Sequence, residues 1–290
     1  MTRRASPRPA DASLALLTAQ AALDLAGQDA ARRPWLIVSD FDGTLSPLVM
    51  DPWGARIIPQ ARRALRRLAG RSDTTVALLS GRTALDLAGR VRVGGAQYLG
   101  NHGLEQGRLA RGARAESMRV QGDPAFDGYG EAALQLADGV AARVSASWLV
   151  VETKPPAVGF HFRAAPDVPR AARRVRAAVE ALDPGGRFER FPGRRMLELR
   201  PPGAATKGHA LAHLIAETRP GFALVLGDDV SDAEAFQVLR EGRRRGVLRG
   251  LALAVHARAD VLPEVAGSAD GVLASPREAA RLLDRLAATA

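Results

Sequence analysis

The chain has 290 residues, 47% of them hydrophobic and 25% charged, which is typical of a globular protein with one large domain or two smaller ones. It contains no cysteine, which excludes disulfides, thiolate nucleophiles and metal sites built on sulfur. The net charge of +10 comes almost entirely from arginine. Because the arginines are dispersed and lack interleaved aromatic residues, we expect a solvated basic surface and no nucleic-acid partner.

The N-terminal part of the chain carries no strong functional signal. Residues 1–12 combine prolines with charges and are predicted to be disordered, and residues 13–26 favour a short helix. No apolar run reaches the ~18 residues of a membrane span, so we expect no membrane association. Asp11 and Asp24 disfavour a signal-peptide core, which predicts a cytoplasmic location. We treat residues 1–33 as an N-terminal extension.

Four continuous apolar runs predict strands that are buried on both faces, as in a parallel sheet. These runs are residues 35–39, 75–79, 222–226 and 251–255. Amphipathic helical patterns lie between and after them, at residues 59–69, 206–217, 232–239 and 276–286. This alternation predicts a doubly wound α/β fold with a parallel sheet, which binds ligands beyond the carboxyl ends of its strands.

The middle of the chain has a different pattern. Short strands are predicted at residues 148–152, 158–163, 187–191 and 196–200, and helices near residues 130–144 and 168–182. This α+β pattern is inserted between the second and third core strands. We therefore predict a cap domain at residues 106–194 and a catalytic core formed by residues 34–105 and 195–290.

Two carboxylates, Asp40 and Asp42, follow the first buried strand in the sequence Asp-Phe-Asp-Gly. Such close carboxylates repel each other, and a divalent cation such as Mg²⁺ relieves the repulsion. Gly43 permits a sharp turn there. Asp40 can attack phosphorus as a nucleophile, while Asp42 can protonate the leaving oxygen and then activate water. The alternative is an Asp-Gly turn with solvated acids.

Phosphate-binding groups are predicted at two further places, namely Ser80, Gly81 and Arg82 after the second strand, and Lys207 at the start of a helix. The Ser80 hydroxyl and the Arg82 guanidinium can donate to a phosphate, although Ser80 can also cap the following helix. A lysine at a helix N-terminus is unfavourable unless an anion lies nearby. Lys207 would then neutralise both the phosphate and Asp40.

Further carboxylates follow the third core strand. Asp228 is the predicted direct metal ligand, together with Asp40 and Asp42. Asp229 or Asp232 can contact the metal through water or hold one of its ligands, and Asp232 can instead cap its helix.

These signals, in this order, resemble the haloacid dehalogenase superfamily of phosphohydrolases. Several segments are also similar to trehalose-6-phosphate phosphatases, namely residues 100–105, 151–155, 161–163, 193–201 and 227–232. This resemblance implies that Glu152, Lys154, Arg163 and Glu198 face the sugar. His102 can contact the substrate or support its loop.

The resemblance implies Mg²⁺-dependent hydrolysis of trehalose 6-phosphate through an aspartyl-phosphate. For the oligomeric state we favour a monomer. One alternative is a phosphatase of another sugar phosphate, such as sucrose or mannosyl phosphates. Another is a non-catalytic sensor of trehalose 6-phosphate, which the presence of the complete catalytic set disfavours. His161 alternates with two phenylalanines and can be a packed strand residue. His209 and His213 share one helix face and lack further zinc ligands.

Overall fold

A computed structural model of the chain describes residues 15–49, 51–193, 195–256 and 263–289. The predicted disorder of residues 1–12 lies outside these ranges. The helix expected at residues 13–26 begins later, at Ala19, where the Thr18 side chain accepts a hydrogen bond from the Ala21 amide.

The described ranges contain thirteen strands and nine α-helices. The strands are β1 (Leu16–Leu17), β2 (Trp35–Ser39), β3 (Thr74–Leu79), β4 (Gln97–Gly100), β5 (Glu105–Arg108), β6 (Val120–Gly122), β7 (Val150–Lys154), β8 (Ala157–His161), β9 (Glu189–Gly193), β10 (Met196–Arg200), β11 (Phe222–Gly227), β12 (Arg249–Val255) and β13 (Gly271–Leu273). The helices are α1 (Ala19–Ala26), α2 (Pro59–Ala69), α3 (Ala84–Val91), α4 (Gly130–Val144), α5 (Val168–Leu182), α6 (Lys207–Thr218), α7 (Val230–Arg244), α8 (Pro263–Ala266) and α9 (Pro276–Ala288). None of these helices is both long and apolar enough to cross a membrane.

Nine strands form the larger sheet, in the order β1-β13-β12-β11-β2-β3-β4-β5-β6. In this order, the first seven strands, which end with β4, pair in parallel. The last two strands, β5 and β6, run antiparallel to their neighbours. Helices α1, α2, α3 and α9 pack on one face of this sheet, and α6 and α7 pack on the other. This arrangement confirms the predicted doubly wound α/β fold.

Strand β2 illustrates why the apolar runs predict this sheet correctly. All five of its residues are buried. Trp35 and Ile37 pack into the core of one face, while Leu36 and Val38 pack into the core of the other. Burial on both faces leaves no position for a polar side chain until the strand ends, which is where the carboxylates begin.

The smaller sheet is antiparallel, with the order β7-β8-β10-β9. Helices α4 and α5 cover one of its faces through alternate residues such as Phe160, Leu197 and Leu199. The residues between them point to the opposite face, because side chains alternate along a strand. That opposite face carries Glu152 and Glu198.

The strand pairings differ from the predicted boundaries of the cap, residues 106–194. Strand β5 folds back on β4 as a hairpin and, with β6, extends the larger sheet. Strand β10, which we expected in the core, lies between β8 and β9 because its alternate leucines pack under α5. We therefore propose a cap that begins after β6 and ends with β10.

Candidate active site

The candidate site lies where the central parallel strands of the larger sheet end. The Asp40 amide donates to the Leu226 carbonyl at 2.9 Å, which joins the end of β2 to β11. The Ser80 amide donates to the Leu99 carbonyl at 3.0 Å, which joins β3 to β4. The predicted site residues after β2, β3 and β11 are thereby brought to one edge.

A tight turn after β2 packs directly against Asp228. The amides of Leu45 and Ser46 both donate to the Phe41 carbonyl. Gly43 has a φ of 79°, in the left-handed region, and a Cβ atom there would lie 2.0 Å from Asp228 Oδ2. Glycine is therefore required at this position for its backbone conformation and for the close approach of the carboxylate.

Three carboxylates and one ammonium group form a cluster at this edge, in which Asp228 is half-buried and the other groups are buried. Ligand atoms of Asp40, Asp228 and Asp232 all lie within 4.8 Å of one another. The Lys207 ammonium donates to Asp40 Oδ1 and to Asp232 Oδ1, each at 2.7 Å. One positive charge therefore faces three carboxylates.

The electrostatics of this cluster reflect its excess of negative charge. Burial raises the pKa of Asp40 to about 7, against the opposing effect of Lys207 and with further contributions from Asp232 and Asp42. Burial, Asp40 and Asp232 raise the pKa of Asp228 well above its ordinary value. Burial lowers the pKa of Lys207, but the charges of Asp232 and Asp40 outweigh it and raise that pKa overall. An arrangement of oxygen ligands with unbalanced negative charge fits a hard divalent cation.

Asp42 and Arg82 pair with each other, which differs from the expectation that Asp42 ligates the metal and Arg82 holds a phosphate. Arg82 Nε donates to Asp42 Oδ2 at 2.6 Å and Nη2 to Oδ1 at 2.9 Å, a bidentate geometry. Its Nη1 donates to Asp86 at 2.9 Å. Burial lowers the pKa of Arg82, but Asp42 and Asp86 outweigh it and raise that pKa overall. Arg82 therefore lies between two carboxylates, those of Asp42 and Asp86.

Ser80 is buried beside this pair. Its hydroxyl oxygen accepts a hydrogen bond from the Arg82 amide at 3.3 Å. The alternative role of Ser80 as a helix cap is wrong, because Thr83 caps α3 by accepting from the Asp86 amide. Gly81 contributes a carbonyl that accepts from Lys154 Nζ at 2.7 Å.

Asp232 combines two of the roles that the sequence left open. Its Oδ2 accepts from the amides of Asp228 and Asp229 at 3.1 Å each, as the third residue of the capping box that begins α7. Its Oδ1 accepts from Lys207. Asp232 therefore fixes both the loop that carries Asp228 and the lysine that faces Asp40.

The polar face of the smaller sheet meets this edge through a second buried group of charges. Glu198 is within 3.1 Å of His102 Nε2, 2.5 Å of Arg200 Nη2 and 2.5 Å of Lys154 Nζ. Burial raises the pKa of Glu198, but Lys154, His102 and Arg200 hold it well below its ordinary value. Burial lowers the pKa of His102 to about 4.

Further hydrogen bonds cross the junction between the two sheets. Asn101 Nδ2 donates to the Lys154 carbonyl at 3.2 Å. Arg163 Nη1 donates to the Val49 carbonyl at 2.6 Å, in the loop that follows β2. The structure brings Lys154 and Glu198 together. Arg163 contacts the loops of the larger sheet at a different point.

Three residues at this junction were not predicted as site residues, namely Asn101, His161 and Arg200. His161 and Arg200 lie on the polar face of the smaller sheet, so strand alternation is the signal that could have found them. Several side-chain atoms here are buried without a hydrogen-bond partner in the described part of the chain. They are Asn101 Oδ1, His102 Nδ1, His161 Nδ1 and Arg200 Nε. Such unpaired polar atoms are typical of a site that binds polar groups.

Comparisons with known proteins agree with this geometry. A trehalose-phosphate phosphatase of Mycobacterium avium is 35% identical over 293 residues, which cover 98% of this chain and 68% of that protein. A Mycobacterium tuberculosis protein named as an uncharacterized glycosyl hydrolase is 37% identical over 216 residues, which cover 72% of this chain but only 15% of that protein. The chain thus spans a small part of that longer relative.

Two solved structures have the same fold. The C-terminal domain of the Candida albicans trehalose-6-phosphate phosphatase aligns with a TM-score of 0.74 and 22% identity, covering 95% of this chain and 98% of that chain. The Aspergillus fumigatus trehalose-6-phosphate phosphatase aligns with a TM-score of 0.61 and 23% identity, covering 96% and 100%. A model of the trehalose-phosphatase family matches residues 38–254, a range that contains the whole cluster from Asp40 to Asp232. The chain therefore belongs to the trehalose-phosphatase family.

Proposed function

We propose that the chain hydrolyses trehalose 6-phosphate to trehalose and phosphate. The observation that carries this proposal is the buried contact of Asp40 with Lys207, beside Asp228 and below the charged face of the smaller sheet. The names of the relatives support the choice of substrate. An oxygen-rich, charged face suits a disaccharide because its many hydroxyls form charge-assisted hydrogen bonds.

In this proposal Asp40 is the nucleophile. Its carboxylate attacks phosphorus, the bond between phosphorus and the sugar oxygen breaks, and Asp42 gives a proton to that oxygen. Asp42 then removes a proton from a water molecule. The resulting hydroxide attacks the aspartyl-phosphate, phosphate leaves, and the Asp40 carboxylate is restored.

Lys207 has two functions in this scheme. It holds Asp40 through Oδ1, which leaves Oδ2 as the attacking atom. Its ammonium also stabilises the negative charge on the phosphoryl oxygens, together with the Ser80 hydroxyl and the Gly81 amide. Asp40 and Asp228 would hold Mg²⁺, with Asp232 orienting the loop of Asp228. When bound, the cation supplies further positive charge to the phosphoryl oxygens.

Arg82 is assigned here to Asp42 rather than to the phosphate. The bidentate pair holds the Asp42 carboxyl group in one orientation. The Asp42 side chain keeps 34% of its surface exposed, so it can reach a leaving group in the cleft.

Glu152, Lys154 and Glu198 are proposed to bind sugar hydroxyls, with His102 supporting Glu198. Each is buried or half-buried at the junction, so a substrate that lacks a matching hydroxyl leaves a charged group without a partner. Sites of this kind reject such analogues strongly. Arg163 would contact the substrate from the side of the loop after β2.

The test is a panel of sugar phosphates assayed with Mg²⁺ for phosphate release. The panel contains trehalose 6-phosphate, sucrose 6-phosphate, a mannosyl phosphate and glucose 6-phosphate, with Asp40→Asn as the inactive control. We expect trehalose 6-phosphate to have the highest kcat/KM and the control to lose turnover by more than about 1,000-fold. Faster turnover of another member would replace the substrate. Binding of trehalose 6-phosphate without any phosphate release would support a sensor instead.

A further inference from the structure

Glu152 and Glu198 lie in one row across the smaller sheet, separated by a glycine. Glu152 on β7 pairs with Gly159 on β8, and Gly159 pairs with Glu198 on β10. Because Gly159 has no side chain, the space between the two carboxylates stays open. A Cβ atom at Gly159 would lie 3.4 Å from Glu152 Oε2 and 3.5 Å from His161 Nε2.

His161 reaches Glu152 across this open position. It follows Gly159 by two residues on β8, so its side chain points to the same face. Its Nε2 lies 2.9 Å from Glu152 Oε2, and the residue is 8% exposed. Since its neighbours Phe160 and Phe162 pack into the core on the opposite face, the direction of His161 is fixed by the strand.

The charge of Glu152 defines which atom donates in this pair. Burial raises the pKa of Glu152, but Lys154 and His161 lower it to about 2 overall. Glu152 is therefore a carboxylate that accepts from His161 Nε2. His161 Nδ1 is buried and has no partner among the described residues, so a hydrogen atom there would lack an acceptor.

Without His161, the ion-pair partner left to Glu152 among the described residues would be Lys154. Lys154 Nζ lies 4.0 Å from Glu152 Oε2 and is already in contact with Glu198 and the Gly81 carbonyl. The hydrogen bond from His161 is the one bond to the Glu152 side chain in the described part of the chain. It holds Oε2, while Oε1 accepts no hydrogen bond in the described part of the chain.

We propose that His161 is a positioning residue that orients the Glu152 carboxylate for a sugar hydroxyl. This inference rests on the proposed function, since it assigns His161 to the sugar-binding half of that site. His161 does not contact the reacting phosphate and acts only through Glu152. Its loss should therefore raise KM for a sugar phosphate while leaving the chemistry at Asp40 intact.

Two substitutions separate hydrogen bonding from packing. His161→Gln places an amide near the position of Nε2 and keeps the donor, whereas His161→Asn places it near Nδ1 and is too short to reach Glu152. The matched control is His213→Asn, the same change at an exposed histidine of α6. Each variant is assayed on the best sugar phosphate of the panel and on p-nitrophenyl phosphate, which lacks the sugar hydroxyls.

We expect His161→Asn to raise KM for the sugar phosphate by roughly 10- to 100-fold, the loss typical of a hydrogen bond to a charged group. kcat/KM for p-nitrophenyl phosphate should change by less than about twofold, and His161→Gln should restore most of the sugar-phosphate KM. In a Glu152→Gln background, His161→Asn should add little, because both changes remove the same interaction.

Three results would overturn the proposal. One is an unchanged KM in His161→Asn, and another is an equal loss on both substrates, which would indicate a structural role. The third is full additivity with Glu152→Gln. A different result would contradict the proposed function itself, namely that the unmodified protein hydrolyses p-nitrophenyl phosphate but none of the sugar phosphates. His161 would then have no sugar substrate to position, and the proposal for His161 would fail as well.

Discussion

His102 and Glu198 form a buried pair in which the histidine is neutral over most of the pH range. Burial lowers the pKa of His102 to about 4, although Glu198 opposes this. The ordinary pKa of histidine is about 6.5. Between these two values the unfolded chain binds a proton that the folded protein does not. The free energy of unfolding should therefore fall as the pH decreases from 6.5 to 4.

We predict that His102→Gln weakens this pH dependence. Glutamine cannot titrate in this range, and its amide can still donate to Glu198. Between pH 7 and pH 5 the unmodified protein should lose about 2 kcal/mol more unfolding free energy than the variant does, since each pKa unit corresponds to about 1.4 kcal/mol.

The measurement is urea unfolding of both proteins at pH 7 and pH 5. The loss of unfolding free energy between the two pH values is compared between the unmodified protein and the variant. Comparing changes with pH removes the constant cost of placing glutamine at φ 60°. Parallel loss of stability in both proteins would contradict the neutral state assigned to His102.

The turn after β2 is the element whose backbone sets the geometry of the site. Gly43 allows the carboxylate of Asp228 to lie against the chain. We predict that Gly43→Ala displaces Asp228, lowers kcat/KM by more than about 100-fold and raises the Mg²⁺ concentration needed for thermal stabilisation. A thermal shift titration with Mg²⁺ measures the second effect independently of activity.

Gly112→Ala is the matched control for this turn. Gly112 has a φ of 76°, close to that of Gly43, but a Cβ atom there meets nothing within 4 Å. Both variants should lose about 1–2 kcal/mol of stability from the left-handed conformation. Only Gly43→Ala should lose activity and Mg²⁺ response. Equal activity in the two variants would show that contact with Asp228 is not essential.

The elements of the larger sheet could be predicted because their physical signals are local. Runs such as residues 222–226 have no polar face, which only a strand covered on both sides tolerates. The carboxyl ends of parallel strands share an edge, so Asp40 and Asp228 could be placed together. By contrast, β10 alternates like any half-buried strand, and its leucines do not reveal which sheet they join. The sequence therefore led to a core boundary at residue 195, whereas β10 pairs with β8 of the smaller sheet.

The partners of individual charged side chains were less predictable. Arg82 was expected on a phosphate, but it binds Asp42 and Asp86. Asp86 lies one helical turn beyond Arg82, and an arginine between two acids can serve either purpose. Whether Arg82 binds a phosphate or the two acids depends on side-chain conformations, which cannot be predicted from a local sequence pattern. The same holds for Asp232, which caps α7 and binds Lys207 at once.

At the scale of the whole molecule, the polar edge of the larger sheet meets the polar face of the smaller sheet. The larger sheet supplies the carboxylates and Lys207, and the smaller sheet supplies a charged face that contacts the Gly81 and Val49 carbonyls. The apolar sides of both sheets are covered by their own helices. The junction between them is thus polar, and separation of the proposed cap from the core would not expose a hydrophobic core. We propose that a substrate enters there.

The central claim is that Asp40 becomes phosphorylated by trehalose 6-phosphate. Rapid mixing of the protein with substrate and Mg²⁺, acid quenching, and reduction with borohydride convert an aspartyl-phosphate into homoserine, which peptide mass spectrometry locates. We predict homoserine at position 40, dependent on substrate and absent from Asp40→Asn. Phosphate release without modification of Asp40, or modification at Asp228 instead, would contradict the account.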